Sequence, residues 1–284
     1  MSISRKIIIA GSTGHLGKAL VEVGLEMGFQ IRALARHPEV LSHYKSKGKL
    51  DIVNVDVTHP EELRRISDGY EIVISALGIT RQKDKVTFMD IDYQSNLNLL
   101  EEAKSSGIKK FVYTSGFGVE ENLDIALFKA KYKFELELKK SGMSYVIVRP
   151  TGFFSDILEF FEMAKKGRII LLGHGNNKMN PIDPLDLAGF IYEHLDDFNR
   201  ILPVGGPDTM KINEIAEMAF EVLEKPPKIT HLPRFVVKFM LGLIRLYSFK
   251  TYTILKFMTR FMNEDVIAPS YGFHHLKDIF KAHI

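Results

Sequence analysis

A glycine-rich loop near the start of the chain has the residue types and spacing to bind a phosphate group. Gly11, Gly14 and Gly17 recur at every third position, after an apolar segment and before a helix-like one. Glycine has no Cβ, so the loop can turn tightly and an anion can approach its backbone, while the helix N-terminus offers unpaired N–H groups. A tight turn that binds no ligand is the alternative. The predicted anion site comprises Gly11, Ser12, Thr13, Gly14, His15, Leu16 and Gly17.

Apolar segments alternate with amphipathic segments over the first 150 residues. The segments between them include the helix-like Leu16–Met27 and Tyr93–Ser105. This alternation predicts an α/β fold, a Rossmann-type doubly wound parallel sheet. The segments that are Ile- and Val-rich, as buried parallel strands are, comprise Lys6–Ala10, Gln30–Ala35, Leu50–Asp56, Glu71–Ala76, Lys110–Thr114 and Ser144–Arg149.

The pattern changes after Pro150, because prolines divide the later chain into short elements. We therefore predict a first domain over 1–150 and a smaller C-terminal substrate lobe over 151–284, interleaved with the sheet. Helices are expected at Leu185–Leu195 and Ile212–Leu223, followed by an apolar and basic helical segment over 235–262.

The composition limits the classes of function. The chain has 284 residues, of which 45% are hydrophobic and 26% charged, as in ordinary globular proteins. It has no cysteine, which excludes disulfides, thiolate metal ligands and a cysteine nucleophile. No histidine spacing demands a metal, so no metal site is predicted. The first apolar run is too short for a secretory signal, and no stretch is long and apolar enough to span a membrane; we expect a cytoplasmic location.

The positive charge is concentrated in one late segment. Residues 225–263 contain eight Lys or Arg and no Asp or Glu, although the net charge of the whole chain is only +3. No nucleic-acid partner is predicted from this distribution. On one continuous helix Lys238, Arg245, Lys256 and Arg260 would lie within about 60° of one another. Such a helix would suit peripheral contact with anionic lipid, a lid over a flat apolar substrate or a dimer contact; two helices packed on the main domain are the alternative.

The loop spacing G-x-x-G-x-x-G resembles that of the extended and atypical branches of the short-chain dehydrogenase/reductase superfamily. The runs 92–100, 109–115 and 148–154 are similar to those of its atypical, NmrA-like NAD(P)-binding members. In the second half, the runs 173–175, 180–182, 186–188 and 205–207 look most like divinyl chlorophyllide 8-vinyl reductases and their relatives. The resemblance implies a Rossmann fold, a nicotinamide cofactor held by 1–150, and oxidoreductase activity.

The end of the second strand indicates which cofactor is preferred. A carboxylate there would bind the ribose of NAD(H), whereas an arginine accommodates the 2′-phosphate of NADP(H). Arg36 occupies this end and Arg32 lies inside the strand, so NADP(H) is preferred over NAD(H); an Arg36 that only faces solvent is the alternative. The resemblance also implies further cofactor contacts from Asp56, Val57, Ala76, Leu77, Gly78, Pro150, Thr151, Gly152 and Phe153. The last four could equally just end a strand and fill the core.

The superfamily's catalytic positions are filled only in part. Its reaction uses a serine near the end of the fifth strand and a Tyr-x-x-x-Lys pair on the next helix. Ser115 and Lys131 fit the serine and lysine positions, but Leu127 stands where the tyrosine is expected. Tyr132 is turned roughly 140° from that position on a helix. The resemblance implies that Lys131 is a catalytic and cofactor-binding residue; a solvated surface lysine is the alternative.

The missing phenol favours one kind of substrate. Reduction of a ketone places charge on oxygen, where a positioned acid contributes roughly 10²–10⁴-fold. Reduction of a conjugated C=C bond spreads the charge instead. The sequence thus favours an NADPH-dependent oxidoreductase acting on an apolar conjugated or quinone-like small molecule. A non-catalytic NADP(H)-binding regulatory, scaffold or assembly protein is the alternative.

Overall fold

The structure of the protein is a computed structural model that describes residues 5–79, 86–261 and 264–284. Met262, the last residue of the predicted helical segment, lies outside the described residues.

A seven-stranded sheet forms the centre of the fold, in the order β3-β2-β1-β4-β5-β6-β9. Strands β1 to β6 pair in parallel with their neighbours. The order reverses beside β1, which places a switch point between β1 and β4, where open α/β sheets bind ligands. The predicted Rossmann-type α/β fold is confirmed. The strands of this sheet are β1 (Lys6–Ala10), β2 (Gln30–Ala35), β3 (Leu50–Asn54), β4 (Ile72–Ser75), β5 (Lys110–Thr114), β6 (Ser144–Pro150) and β9 (Arg200–Val204).

Helices connect the strands and cover the sheet. A π-helical segment over Met89–Ser95 leads directly into the second α-helix, and 3₁₀ turns cover Pro38–Lys47 and Pro60–Leu63. The central strands bury apolar side chains, as in β1, where Ile7, Ile8 and Ile9 are fully buried. The α-helices are α1 (His15–Glu26), α2 (Asn96–Ser105), α3 (Ala126–Lys140), α4 (Phe154–Lys165), α5 (Pro184–Glu193), α6 (Ile212–Val222), α7 (Arg234–Tyr247), α8 (Phe249–Phe261) and α9 (Leu276–Lys281).

The chain forms two compact units. The first contains the residues up to Arg149 together with Leu187–Leu202, and the second contains Pro150–Asp186 and Pro203–Ile284. The predicted division at residue 150 assigned 187–202 to the second part, whereas this segment packs with the first unit. Inside the first unit, for example, the Tyr192 hydroxyl donates a 2.6 Å hydrogen bond to the carbonyl of Leu20.

Two small sheets lie in the second unit. Strand β7 (Ile169–Leu172) pairs in parallel with β11 (Ile229–Leu232), and β8 (Lys178–Met179) pairs antiparallel with β10 (Met210–Lys211). These short strands were not predicted.

The apolar and basic segment forms two helices rather than one. Helices α7 and α8 are separated at Ser248, whose backbone is extended with φ −150° and ψ 100°. Arg260 is buried and pairs with Glu264 at 2.6 Å, so it does not continue a basic row from α7. Within the described parts of the chain, every helix is too short or too polar to cross a bilayer.

Candidate functional site

The glycine loop lies at the switch point, between the carboxyl ends of β1 and β4. Gly11 has φ +76°, and a Cβ there would stand 2.7 Å from the carbonyl oxygen of Ala76. A Cβ on Gly17 would overlap the carbonyl of Gly11. The buried Ser12 hydroxyl ties the loop to β2 through a 2.7 Å hydrogen bond to the carbonyl of Leu34. The fold itself therefore requires glycine at positions 11 and 17.

Gly14 is different, because neither backbone conformation nor packing requires it to be glycine. Its φ of −72° and ψ of 172° suit any residue. A Cβ at this position would meet only the Gly11 carbonyl oxygen, at 3.4 Å. The residue is exposed and faces an open cleft. Close approach of a ligand is the reason that remains for the missing side chain at position 14.

A cleft of about 760 Å³ opens in front of this loop, within the size range of ligand pockets. Of the predicted loop residues, Ser12, Leu16 and Gly17 are buried and His15 is exposed, and these four do not line it. The cleft is lined by the predicted residues Gly11, Thr13, Gly14, Arg36, Asp56, Val57, Ala76, Leu77 and Gly78, together with Leu34, Ala35, Val55, Thr58, Ile79, Val86 and Ile91.

Arg36 and Asp56 mark one end of the cleft. Burial raises the pKa of Asp56, but hydrogen bonds from the Thr58 N–H and hydroxyl and the nearby Arg36 guanidinium outweigh it, so the pKa lies below its usual value. Arg36 is exposed and makes no ion pair with the described carboxylates. Its guanidinium is therefore available to a phosphate.

Arg32, in contrast, serves the fold. Its guanidinium donates to Asp51 at 2.8 Å and to the carbonyl of Ile66 at 2.7 Å. It also lies over the ring of Tyr70, 4.4 Å from the centroid. These contacts occupy the side chain of Arg32, which leaves Arg36, directly after β2, as the arginine that lines the cleft.

Lys131 lies beside Gly78, which lines the cleft, although Lys131 itself is not among the lining residues. Its ammonium nitrogen would be 3.1 Å from a Cβ built on Gly78 and forms a 3.1 Å ion pair with Asp92 Oδ1. The Asp92 Oδ1 atom accepts no hydrogen bond of good geometry in this pair. The Lys131 ammonium nitrogen donates its hydrogen bond to the carbonyl of Thr114, at 3.3 Å. Only 12% of the Lys131 side chain is exposed, so it is not a solvated surface lysine.

Asp92 is the site residue that the sequence did not single out. It is fully buried, on the π-helical segment, and its Oδ2 accepts a hydrogen bond from the N–H of Ile79 at 3.3 Å. Burial raises the pKa of Asp92, and Lys131 and the Ile79 N–H oppose that effect. In the sequence Asp92 belongs only to a family-like run, because no local pattern indicates that a carboxylate will be buried against a lysine 39 residues later.

Ser115 follows β5, and its hydroxyl is buried without a hydrogen-bond partner among the described residues. The same holds for the hydroxyl of Thr114. Buried polar atoms normally find a partner. These hydroxyls therefore have unused capacity to bind a ligand atom or a water molecule near Lys131.

The position of the superfamily's tyrosine is apolar. Leu127, one turn before Lys131 on α3, is buried. Tyr113 is fully buried as well; its hydroxyl lies 3.5 Å from the carbonyl of Asp92, and its ring packs edge-on against Phe134. Burial, Asp92 and Glu135 raise the pKa of Tyr113 well above its usual value, so this phenol keeps its proton.

The four remaining predicted cofactor contacts lie at the boundary of the second unit. Thr151 is buried, and its hydroxyl donates to the carbonyl of Asn180 at 2.6 Å. Phe153 forms a parallel bridge with Ile182. Pro150 ends β6, and Gly152 accepts a hydrogen bond from Ile182 at its carbonyl. Their contact with a cofactor stays a prediction.

Comparison with known proteins agrees with this architecture. A family model described as NAD(P)H-binding matches residues 11–198. Divinyl chlorophyllide a 8-vinyl-reductase of Cucumis sativus is 30% identical over 318 residues, which cover 97% of this chain and 75% of that protein. Photosystem II assembly factor Ycf39 of Trieres chinensis is 27% identical over 236 residues, covering 82% and 73%.

Among solved structures, AtPrR2 with NADP⁺ and (+)-pinoresinol superimposes with a TM-score of 0.80 at 16% identity, covering all of both chains. At this identity the likeness shows the fold. The sequence matches go further, because the family model covers well over half of the chain. The chain belongs to the NAD(P)H-binding family and is related to the divinyl chlorophyllide reductases.

Proposed function

We propose that this protein is an NADPH-dependent reductase of an apolar conjugated or quinone-like molecule. The observation that carries the proposal is the placement of Lys131, which a buried carboxylate holds beside Gly78 in the wall of the cleft. Burying an ion pair is costly, so such a pair is weak evidence for stability alone. At the edge of a nucleotide cleft it is better explained by a task in binding or catalysis.

The residues present fit a phosphorylated dinucleotide. Gly14 leaves its face of the loop open, and the N-terminus of α1 favours an anion there. The Arg36 guanidinium supports a preference for NADPH, because an arginine can form charge-assisted hydrogen bonds with a 2′-phosphate. The family match supports nicotinamide binding, and the preference for the phosphorylated form is part of our proposal.

When bound, the cofactor supplies a hydride. The protein's own contribution in this proposal comes from Lys131, which would hold the cofactor or substrate by its ammonium group, and from Ser115, whose hydroxyl would orient the substrate. The buried Leu127 and the enclosed Tyr113 place no phenol where a ketone oxygen would need a proton. A conjugated alkene needs that proton at carbon after hydride addition, and water or a Lys131-bound network would supply it. The vinyl reductase among the relatives supports this substrate class.

The test is NADPH oxidation by the purified protein across a panel of enones, vinyl-substituted aromatics and quinones. We expect turnover with at least one apolar substrate, and loss of most of that turnover in Lys131→Met. Lys129→Met is the matched control, because Lys129 is an exposed lysine on the same helix. Binding of NADPH without oxidation by any member of the panel would count against a reductase.

A non-catalytic NADP(H)-binding assembly or regulatory protein is the second candidate. The buried leucine at the tyrosine position favours it, and one relative is named as an assembly factor. This candidate predicts tight NADPH binding, no turnover, and recovery of a specific partner by pull-down only when NADPH is present. The Lys131→Met variant would then lose cofactor affinity, with no rate to lose.

A further inference from the structure

Helix α7 exposes more of its apolar side chains than it buries. Val237 is its one buried residue among those described. At 100° per residue the exposed apolar side chains fall on one stripe about 140° wide, and Phe235, Leu246 and Tyr247 have 74%, 79% and 90% of their surface accessible. We call this the apolar stripe; it consists of Phe235, Phe239, Met240, Leu243, Leu246 and Tyr247.

A row of basic side chains adjoins the stripe. Arg234, Lys238 and Arg245 fall within about 40° of one another on α7, on one side of the stripe. They line a cleft of about 330 Å³ whose other walls include Leu172 and Tyr252, and to which α8 contributes the basic Lys256. We call this the basic cleft.

These two features belong together chemically. Exposed apolar patches of this kind mark interaction sites in globular proteins. The segment 225–263 contributes eight basic residues and no acidic one, so nothing within it neutralises the row. Helix α7 has 14 residues and is about 21 Å long, which is enough to lie along a surface but not to cross a bilayer.

We propose that α7 docks on an anionic lipid surface, with the apolar stripe inserted at the level of the acyl chains and the basic cleft holding lipid phosphates. Phenylalanine, leucine and tyrosine on one face beside a row of Lys and Arg is the arrangement of interfacial helices. A second copy of the chain fits less well, because pairing two α7 helices would bring two basic rows together with no acidic residue in either segment. The bilayer supplies both the apolar phase and the negative charge.

Flotation of the full-length protein with vesicles tests the proposal. We expect binding to phosphatidylcholine vesicles that contain phosphatidylglycerol, little binding to phosphatidylcholine alone, and a decrease with salt. Lys238→Gln/Arg245→Gln should weaken binding to the anionic vesicles roughly tenfold or more, since each basic residue near such a surface adds to the attraction. Arg64→Gln/Lys49→Gln, two exposed cations outside the segment, is the control for total charge.

The stripe is tested by Phe239→Ser and, separately, by Leu246→Ser. Both side chains are exposed, so each variant should melt near the wild-type temperature and lose vesicle binding roughly tenfold. Phe198→Ser is the control, because Phe198 is an exposed phenylalanine outside α7. Vesicle binding that is absent in the wild type, or unchanged in the stripe and cleft variants, would overturn the proposal. So would dimerisation in analytical ultracentrifugation that Phe239→Ser abolishes, without vesicle binding.

Discussion

Replacement of Arg36 by glutamine should change which nicotinamide nucleotide the protein prefers. The guanidinium stands at the end of β2 on the rim of the cleft and pairs with no described carboxylate. A hydrogen bond to a charged group contributes about 1.5–3 kcal/mol. Because Arg36 is exposed and solvent screens it, the lower end applies.

About 1.5 kcal/mol corresponds to roughly a tenfold weaker NADPH affinity. The affinity for NADH, which lacks the 2′-phosphate, should change by less than about threefold. Isothermal titration calorimetry with both nucleotides measures the two values on the same protein. Arg64→Gln removes an equally exposed positive charge that does not line the cleft and should leave both affinities unchanged.

An Arg36→Gln protein that binds NADPH as tightly as the wild type would refute the assignment of the 2′-phosphate to this arginine. Equal losses for NADPH and NADH would also refute it, since they would indicate a general electrostatic effect. The same variant offers a second readout. Arg36 helps to lower the pKa of Asp56, so NMR titration should show that carboxyl titrating at higher pH in the variant.

Four further substitutions test the loop, the buried carboxylate and the core. Gly14→Ala should weaken NADPH binding at least tenfold, measured by calorimetry, and change the free energy of unfolding by no more than about 0.5 kcal/mol. Gly17→Ala should instead lower the free energy of unfolding in urea by roughly 1–3 kcal/mol, because the new Cβ would overlap the backbone. Because burial raises the pKa of Asp92, the wild type should lose stability relative to Asp92→Asn as the pH rises from about 4 through that raised pKa. A difference in unfolding free energy between the two proteins that stays constant over this pH range would contradict this prediction. Glu135→Ala should cost about 1.5–3 kcal/mol in urea unfolding, because Arg149, whose side chain is only 12% exposed, loses its fully buried partner and keeps only the more exposed Glu120.

The sheet and its ligand-binding edge could be predicted from the sequence because local pattern determines both. Each strand of the first half is rich in Ile, Val, Leu or Phe, and the glycine spacing stands directly after the first of them. Such signals need only neighbours along the chain. The cleft accordingly contains Arg36, which was expected there from its place at the end of the second strand, and Asp56 and Gly78, which the family resemblance implied.

The features that escaped prediction depend on residues far apart in the chain. In the sequence Asp92 is only a polar residue near the start of a helix, and its role depends on its burial against Lys131. The segment Leu187–Leu202 packs with the first unit although it follows the change of pattern at Pro150. The end of α7 at Ser248 decides between two alternatives that the sequence left open: the apolar run continues through this position, and the backbone shows two helices.

The pairing of Lys131 with Asp92 limits what the missing tyrosine can mean. If the site served only the fold, a charged pair with one fully buried member would be an expensive way to fill the space, since apolar residues of similar volume commonly do so at no loss of stability. Departures from local consistency of this kind are expected at functional sites. In both proposed functions the lysine would contact the bound nucleotide, and they differ in whether a substrate follows. Lys131→Met separates them, because a reductase loses turnover at saturating NADPH whereas a cofactor-dependent binding protein loses affinity alone.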